Sequence, residues 1–526
     1  MKTAVLLISL LMFYAEVPAV NGKILTTGNN ITIVKVWGTH TERGYAQGFL
    51  LAAKIDAIYR NYIAPKFGPA LSVAKATLLD SLNFSIDSAY VQEAKGLVAG
   101  MADAGITGYD YGDLLLANSL LDLSSILSAQ YTIDFNLGCS SLMSWGDATQ
   151  GTALNGKSVI SRNLDWEVNS NLNNNQVMVI HIPSEENEQP WIMIGFAGQI
   201  SALSGTNRSG VSAFQHVLSG VAGHSAYGKK YIPVWFGIRK GLESKDLNGD
   251  GADNTNDMRH SLLQSVNGMA PNCIVSVGAS AANLHDSLIA MVAEVTNTAP
   301  YHSFRTNSYE DKIPGDNLYA ANSAICRNDA RQYCSRYNSL TTAIAAGTGI
   351  DSLLNWTLLR DYSRVVGTNI QMMQIIPELK QLKLSVYTGT PAYNAAPYIY
   401  NLDTIFDKPF SVDEITGEVN ERYSLSQNYP NPFGGAAQAG NCSTVIKYTL
   451  PANNDQRSMI KVTLKVFDVL GREVATLVDE ELAPGSHYAE FNAGKNTGSY
   501  SGSGVYFYRL IAANDVVITK KMLIIK

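Results

Sequence analysis

Asn136-Leu-Gly-Cys-Ser-Ser-Leu-Met-Ser-Trp-Gly146 is followed, after a turn-rich stretch from Asp147 to Gly156, by Lys157-Ser-Val-Ile-Ser-Arg-Asn-Leu-Asp-Trp166. Both runs alternate in the way paired strands do, with the stretch between them as the connection. Folded as a hairpin, they bring Cys139, Arg162 and Asp165 together at one end of a sheet. The chain has five cysteines, at 139, 273, 326, 334 and 442, so at least one thiol is unpaired. Cys326 and Cys334 flank a polar stretch and are spaced to close a small disulfide loop. Cys273 lies in the core-like run Cys273-Ile-Val-Ser-Val277 and reads as a buried thiol, and Cys442 belongs to a distinct tail. Cys139 is left as the candidate nucleophile.

A thiol nucleophile needs a base, and none of the eight histidines sits in a recognisable partner pattern. Cleavage of the Gly138–Cys139 bond would supply one. It frees the α-amino group of Cys139, whose ordinary pKa of about 7.7–8.0 suits a general base near neutral pH. Gly138 tolerates the unusual backbone angles and the close approach that attack of the sulfur on its own carbonyl requires. Against this stands the plainer reading of a structural cysteine buried in a strand.

Outward from the hairpin, 526 residues at about 100–200 per domain predict two to four domains. With 46% hydrophobic and 16% charged residues the chain can bury a large core. Its net charge of −6 and the lack of any basic run interleaved with aromatics exclude nucleic acid as a partner. Residues 1–22 read as a secretory signal, with Lys2, an apolar run from Ala4 to Tyr14 and small residues around Val17-Pro-Ala19, so the mature chain starts near Val20. That run is about half of the roughly 20 residues a membrane span needs, and no later segment is long enough, so no transmembrane anchor is expected. Residues 408–421 read as a polar linker. Residues 422–526 change to short alternating strands, which predicts a small all-β, immunoglobulin-like sandwich. Any catalytic chemistry then lies within residues 23–407.

Two sets of motifs resemble known families. In the tail, Asn428-Tyr-Pro-Asn-Pro-Phe433, Val469-Leu-Gly-Arg-Glu-Val474, Pro484-Gly-Ser486 and Ser503-Gly-Val-Tyr-Phe-Tyr508 together resemble the type A sorting domain of the type IX secretion system, with Cys442 where that family commonly has proline. The resemblance implies export through the periplasm to the cell surface or medium, with the secretion machinery as partner. In the main part, the order Gly38-Thr-His-Thr-Glu-Arg-Gly-Tyr-Ala-Gln-Gly48, Glu93-Ala-Lys-Gly-Leu-Val-Ala-Gly100, Asp113 to Asp122, Gly138-Cys-Ser-Ser141, Ser161-Arg-Asn-Leu-Asp-Trp166, Gly205-Thr-Asn-Arg-Ser-Gly210, Leu318-Tyr-Ala-Ala-Asn322 and Cys334-Ser-Arg-Tyr-Asn338 resembles peptidase family C45, the acyl-CoA:6-aminopenicillanate acyltransferase-like N-terminal nucleophile hydrolases.

The second resemblance implies an α+β fold, a four-layer αββα sandwich, with autocleavage between 138 and 139 and attack on carbon–nitrogen bonds of small acylated molecules through a thioester. It implies Cys139 as nucleophile, Arg162 and Asp165 as the groups that orient the thiol and hold the new amine, Asn322 as oxyanion donor and Arg336 as a late partner. No cofactor is implied for catalysis. This sequence departs from the family in its long Cys139–Arg162 spacing, in Ser323 after Asn322 where many relatives have His, and in Gln215-His216 where a second Asn is common. Glu294, between apolar residues, reads as a support residue.

One further motif is independent of both. Asp246-Leu-Asn-Gly-Asp-Gly-Ala-Asp-Asn-Thr-Asn-Asp257 matches the spacing of a calcium loop, with Asp246, Asn248, Asp250, the Ala252 carbonyl and Asp257 as ligands for a structural Ca²⁺ between helices at Val234–Glu243 and Met258–Val266. A solvated turn is the alternative, since Asp, Asn and Gly are also turn formers. The sequence as a whole predicts an exported cysteine amidohydrolase or acyltransferase for a small-molecule acyl amide. Its rivals are a lipid N-acyl amide or ester hydrolase of the same superfamily and a catalytically decayed, surface-exported binding protein.

Overall fold

Alternation along the strands sends neighbouring apolar side chains to opposite faces, and that sorting sets the layers. The computed structural model describes residues 20–26, 31–135, 138–282, 289–309, 312–365, 367–407, 423–428, 431–433, 443–450, 460–482, 485–493, 503–512 and 516–525. The chain divides into two units, Met1–Lys408 and Pro409–Lys526. Residues 1–19 of the expected leader, the linker 408–421 and Cys442 lie outside the described residues.

In the first unit, a nine-stranded sheet runs in the order Gly22–Thr26, Ile31–Gly38, Gln176–Pro183, Trp191–Phe196, Ser204–Asn207, Ser212–Val217, Cys273–Gly278, Ala290–Val295, His302–Arg305. A six-stranded sheet runs Asn317–Ala320, Gly138–Ser144, Val159–Asp165, Asn369–Ile376, Gln381–Val386, Tyr398–Asn401. Met178, Ile192 and Phe214 from the first sheet meet Met143, Ile160 and Met373 from the second in one apolar layer. Their neighbours Val179, Met193 and Ala213 face the other way, into a core shared with the helices His40–Ile58 and Ser88–Asp103. On the far side, Leu142 and Met372 pack with Tyr337 and Leu359 of the helices Ser335–Ile344 and Ser352–Tyr362. The order of layers is helix, sheet, sheet, helix.

Two sequence motifs owe their glycines to one crossing. The His40–Ile58 helix starts at a capping box of Thr39 with Glu42. It meets Ser88–Asp103 so closely that a Cβ on Gly48 would lie 2.0 Å from the Leu97 carbonyl oxygen, and one on Gly96 would lie 2.3 Å from that of Thr41. Beside the crossing, a buried charge network ties the helices to the sheet: His40 bonds Glu93 and Glu188 at 2.7 and 2.8 Å, while Arg239 reaches Glu93 at 2.6 Å and Glu243 at 2.8 Å.

The second unit is all-β, with a three-stranded sheet (Ser424–Leu425, Ser443–Leu450, Gly485–Asn492) and a four-stranded sheet (Glu473–Leu482, Ile460–Phe467, Gly504–Ala512, Val516–Ile524) around Ile446, Val462, Leu464, Phe491 and Leu510. The tail motifs are structural. Tyr508 donates its hydroxyl to the Ser426 carbonyl at 2.8 Å and accepts the Asn428 amide at 2.9 Å. Phe433 is buried, and its backbone bonds both Leu523 and Ile525.

Candidate active site

The two strands of the central hairpin pair Gly138 with Asp165, Cys139 with Leu164 and Ser141 with Arg162. Cys139, Arg162 and Asp165 are all buried, so Arg162 and Asp165 are not a surface ion pair. The Arg162 side chain crosses from its own sheet to the other. It donates to Ser204 Oγ, to the Gln215 carbonyl at 2.8 Å and to Cys139 Sγ at 3.4 Å, with its guanidinium over the Phe214 ring. Burial pushes the Cys139 thiol above its ordinary pKa, and the Arg162 guanidinium pulls against that.

Asn322 and Arg336 complete the cluster from a loop and a helix far along the chain. Asn322 Oδ1 accepts the Cys139 amide at 3.0 Å, and Nδ2 donates to the Val217 carbonyl at 2.6 Å. Its side chain is therefore engaged with the nucleophile's own nitrogen rather than with a local turn. The expected oxyanion role needs an N–H of that amide aimed at substrate, and one of its two is already spent on Val217. Arg336, near the start of the Ser335–Ile344 helix, donates to the Cys139 carbonyl at 3.1 Å and to Asn322 Oδ1 at 2.5 Å, and stands 3.8 Å from Asp165 Oδ2. All five sequence candidates converge on residues 138–139.

Asp165 is the carboxylate of this cluster, and its surroundings shift its pKa. Burial raises its carboxyl to about 6, against the opposing hydrogen bond from Asn369 and the charge of Arg336. Asn369 Nδ2 donates to Asp165 Oδ1 at 3.0 Å, and Oδ2 has no hydrogen-bond partner. Sequence reasoning missed Asn369: it reaches Asp165 only because the strand Asn369–Ile376 pairs with Val159–Asp165. Ser204, which anchors Arg162, was missed because only the stacking of one sheet on the other brings it there.

Three sequence readings change, and the supporting role read for Glu294 holds. Gly138 is extended strand, outside the left-handed region, so unusual backbone angles are not what it provides. Its missing side chain is used for close approach: a Cβ there would lie 3.3 Å from both Asp165 Cβ and Val365 Cγ2, and 3.6 Å from Asp165 Oδ2. Cys326 and Cys334 are both free thiols. The helix after the acidic loop spans Thr255–Leu263 rather than Met258–Val266, because Asn254 and Asp257 form a capping box that starts it early. Glu294 accepts the amides of Ile325 and Cys326 at 2.6 and 3.1 Å, which fixes the loop following Asn322.

In the acidic loop, Asp246 accepts the Gly251 amide, Asn248 that of Asp250, Asp250 that of Ala252, and Asp257 those of Asn248 and Asn254. Among the described residues, a convergent group of three acidic or imidazole side chains occurs instead at His40, Glu185 and Glu188. Those carboxylates are already paired with Arg43 at 2.8 and 2.9 Å, which disfavours a second cation there.

The chain matches no known family profile. It is 24% identical to protein dcd1B of Dictyostelium discoideum over 215 residues, 36% of this chain, and so spans about 40% of that relative's length. Among solved structures it aligns with a Caenorhabditis elegans ortholog of N-acylethanolamine-hydrolyzing acid amidase at 15% identity and a TM-score of 0.33, over 50% of this chain and 100% of the other. It also aligns with a single-residue variant of conjugated bile acid hydrolase from Clostridium perfringens at 13% identity and a TM-score of 0.32, over 51% and 93%.

Proposed function

We propose that this chain is a cysteine N-terminal nucleophile hydrolase that cleaves carbon–nitrogen bonds of small acylated molecules. The reading rests on one observation: four polar side chains from three separate elements converge on Gly138 and Cys139, with Arg162 on the sulfur, Asn322 on the Cys139 amide nitrogen, Arg336 on the Cys139 carbonyl and Asp165 against Gly138. A merely structural cysteine has no use for such a set.

In maturation, ionised Asp165 accepts the thiol proton as Sγ attacks the Gly138 carbonyl carbon. Asp165 passes that proton to the departing nitrogen as the C–N bond breaks, freeing the α-amine of Cys139, and water hydrolyses the resulting thioester to leave Gly138 as a carboxylate and the thiol restored. In turnover the freed amine takes the thiol proton and Sγ attacks the substrate carbonyl. The amine returns the proton to the departing nitrogen, and water resolves the acyl thioester; an amine in place of water gives acyl transfer. Ionised Asp165 holds the new ammonium between cycles.

The same proposal includes export: a leader within residues 1–22, and a second unit that serves type IX secretion and contributes nothing to chemistry. It also includes a structural Ca²⁺ held by Asp246, Asn248, Asp250, the Ala252 carbonyl and Asp257. The test of the enzymatic core is the intact mass of the purified protein. Cleavage at 138/139 is expected in the native chain and lost together with turnover in Cys139→Ala. An unbroken native chain with full amidase activity would refute it.

A further inference from the structure

Gln215-His216, one of the places where the sequence departs from the family it resembles, lies on the strand Ser212–Val217 of the nine-stranded sheet. Three consecutive residues of that strand grip the cluster around Cys139. The Gln215 carbonyl accepts from Arg162 at 2.8 Å, and the Val217 carbonyl accepts from Asn322 at 2.6 Å. Between them, His216 Nε2 bonds Ser141 Oγ at 2.9 Å and Ser276 Oγ at 3.1 Å. The outer two contacts are made by backbone, so any residue at 215 or 217 keeps them. The middle one is made by a side chain and depends on histidine.

Strand alternation puts that side chain between the sheets. Phe214 lies in the apolar layer there, and His216, two residues on, points the same way. Ser141 is two residues on from Cys139 and pairs with Arg162, while Ser276 pairs with Phe214 on the next strand of the large sheet. His216 is thus a fully buried polar pin through a layer of Met, Ile and Phe side chains. Burying an imidazole in such a layer costs more than burying Leu unless its bonds are used. Burial holds the ring neutral, and the charges of Arg162 and Arg336 act in the same direction against the pull of the Cys139 backbone. Its bonds go to two hydroxyls rather than to the thiol, so it acts through Ser141.

The spacing of the sheets at this point governs the nucleophile. Arg162 rises from the same sheet as Cys139, but its guanidinium is held by Ser204 and Gln215 of the other sheet. Its 3.4 Å contact with Sγ therefore survives only while the two sheets keep their separation beside residues 139–141. If they part, the anchors draw the guanidinium off the sulfur.

We infer that His216 is a positioning residue: by pinning Ser141 it fixes the spacing of the two sheets beside Cys139 and keeps the Arg162 guanidinium on the sulfur. This rests on the amidase reading above and deepens it. The test uses the full chain carrying His216→Leu, which keeps bulk alone, His216→Gln, which keeps an amide near the place of Nε2, and Ser141→Ala. Self-cleavage is timed at pH 7, and in the cleaved protein the pH profile of Cys139 alkylation by iodoacetamide is read by mass on the peptide that starts at Cys139. A cation beside an anion lowers its pKa by about 1–3 units, so His216→Leu is expected to move the alkylation midpoint up by about one unit or more. Each unit slows alkylation at pH 7 by about threefold, because a tenfold loss of thiolate is partly offset by higher nucleophilicity. His216→Gln is expected to restore most of the native midpoint and of the cleavage rate. Ser141→Ala should reproduce the shift, and should His216→Leu fail to fold it carries the test. A lower melting temperature with the midpoint and the cleavage rate unmoved makes His216 a core residue, which overturns the inference and leaves the amidase reading standing. A native chain that stays unbroken refutes the amidase reading and this inference with it.

Discussion

Replacing Asn369 by Leu should move the pH dependence of self-cleavage, not merely slow it. Asn369 donates to Asp165 Oδ1 at 3.0 Å, and a hydrogen bond to a charged group is worth about 1.5–3 kcal/mol. At about 1.36 kcal/mol per pKa unit, its loss raises the Asp165 carboxyl by about 1–2 units. The native value of about 6 becomes about 7–8. Because the donor favours the ionised form, removing it leaves less of the acting carboxylate at a given pH. At pH 6 the native group is about half ionised and the variant about one-hundredth to one-tenth; well above both values the two rates converge. The assay is the appearance of the two chains, followed by mass or gel, in protein refolded at a series of pH values. Asn369 also donates to Leu164 and Gln371 and accepts from Tyr393, so some stability is lost as well. Lost stability alone does not move the acid limb. A uniformly slower reaction with its midpoint still near 6 would refute the assignment of Asp165 as the ionising group.

Gly48→Ala is expected to destabilise the first unit by about 3 kcal/mol or more, read as a fall in melting temperature, since the new methyl meets a backbone oxygen that cannot turn aside; a neutral effect would show that the helices part easily. Gly138→Val should block cleavage while the protein still folds, because the branched side chain collides with Asp165 and Val365. Calcium at 100 times its Kd should raise stability by about 2.7 kcal/mol, and Asp246→Ala with Asp250→Ala should abolish the response; a melt unmoved by calcium or chelator would mean the loop is a polar turn. Removal of residues 423–526 should leave the specific activity of the purified enzyme intact, and a loss of activity would refute the separation of roles.

The hairpin around Cys139 was legible because its signals are local: alternation fixes the strands, the turn-rich connection pairs them, and the register follows. The β strands of the tail were legible in the same way, where composition changes abruptly near Tyr423. Glycine motifs such as Gly44 with Gly48 were visible too, but their purpose was not, since it lies in the carbonyl oxygens of another helix. What the tertiary structure alone decided is the electrostatic setting of the site. Asn369 stands 204 residues from Asp165 in the chain and Ser204 stands 42 from Arg162, and neither carries a local pattern. Strand pairing and sheet stacking put them in contact, and burial in that stack is what lifts Asp165 to about 6 and holds Arg162 against the thiol. A carboxylate's charge is written in the sequence, whereas its pKa depends on how much water and which donors the fold leaves around it.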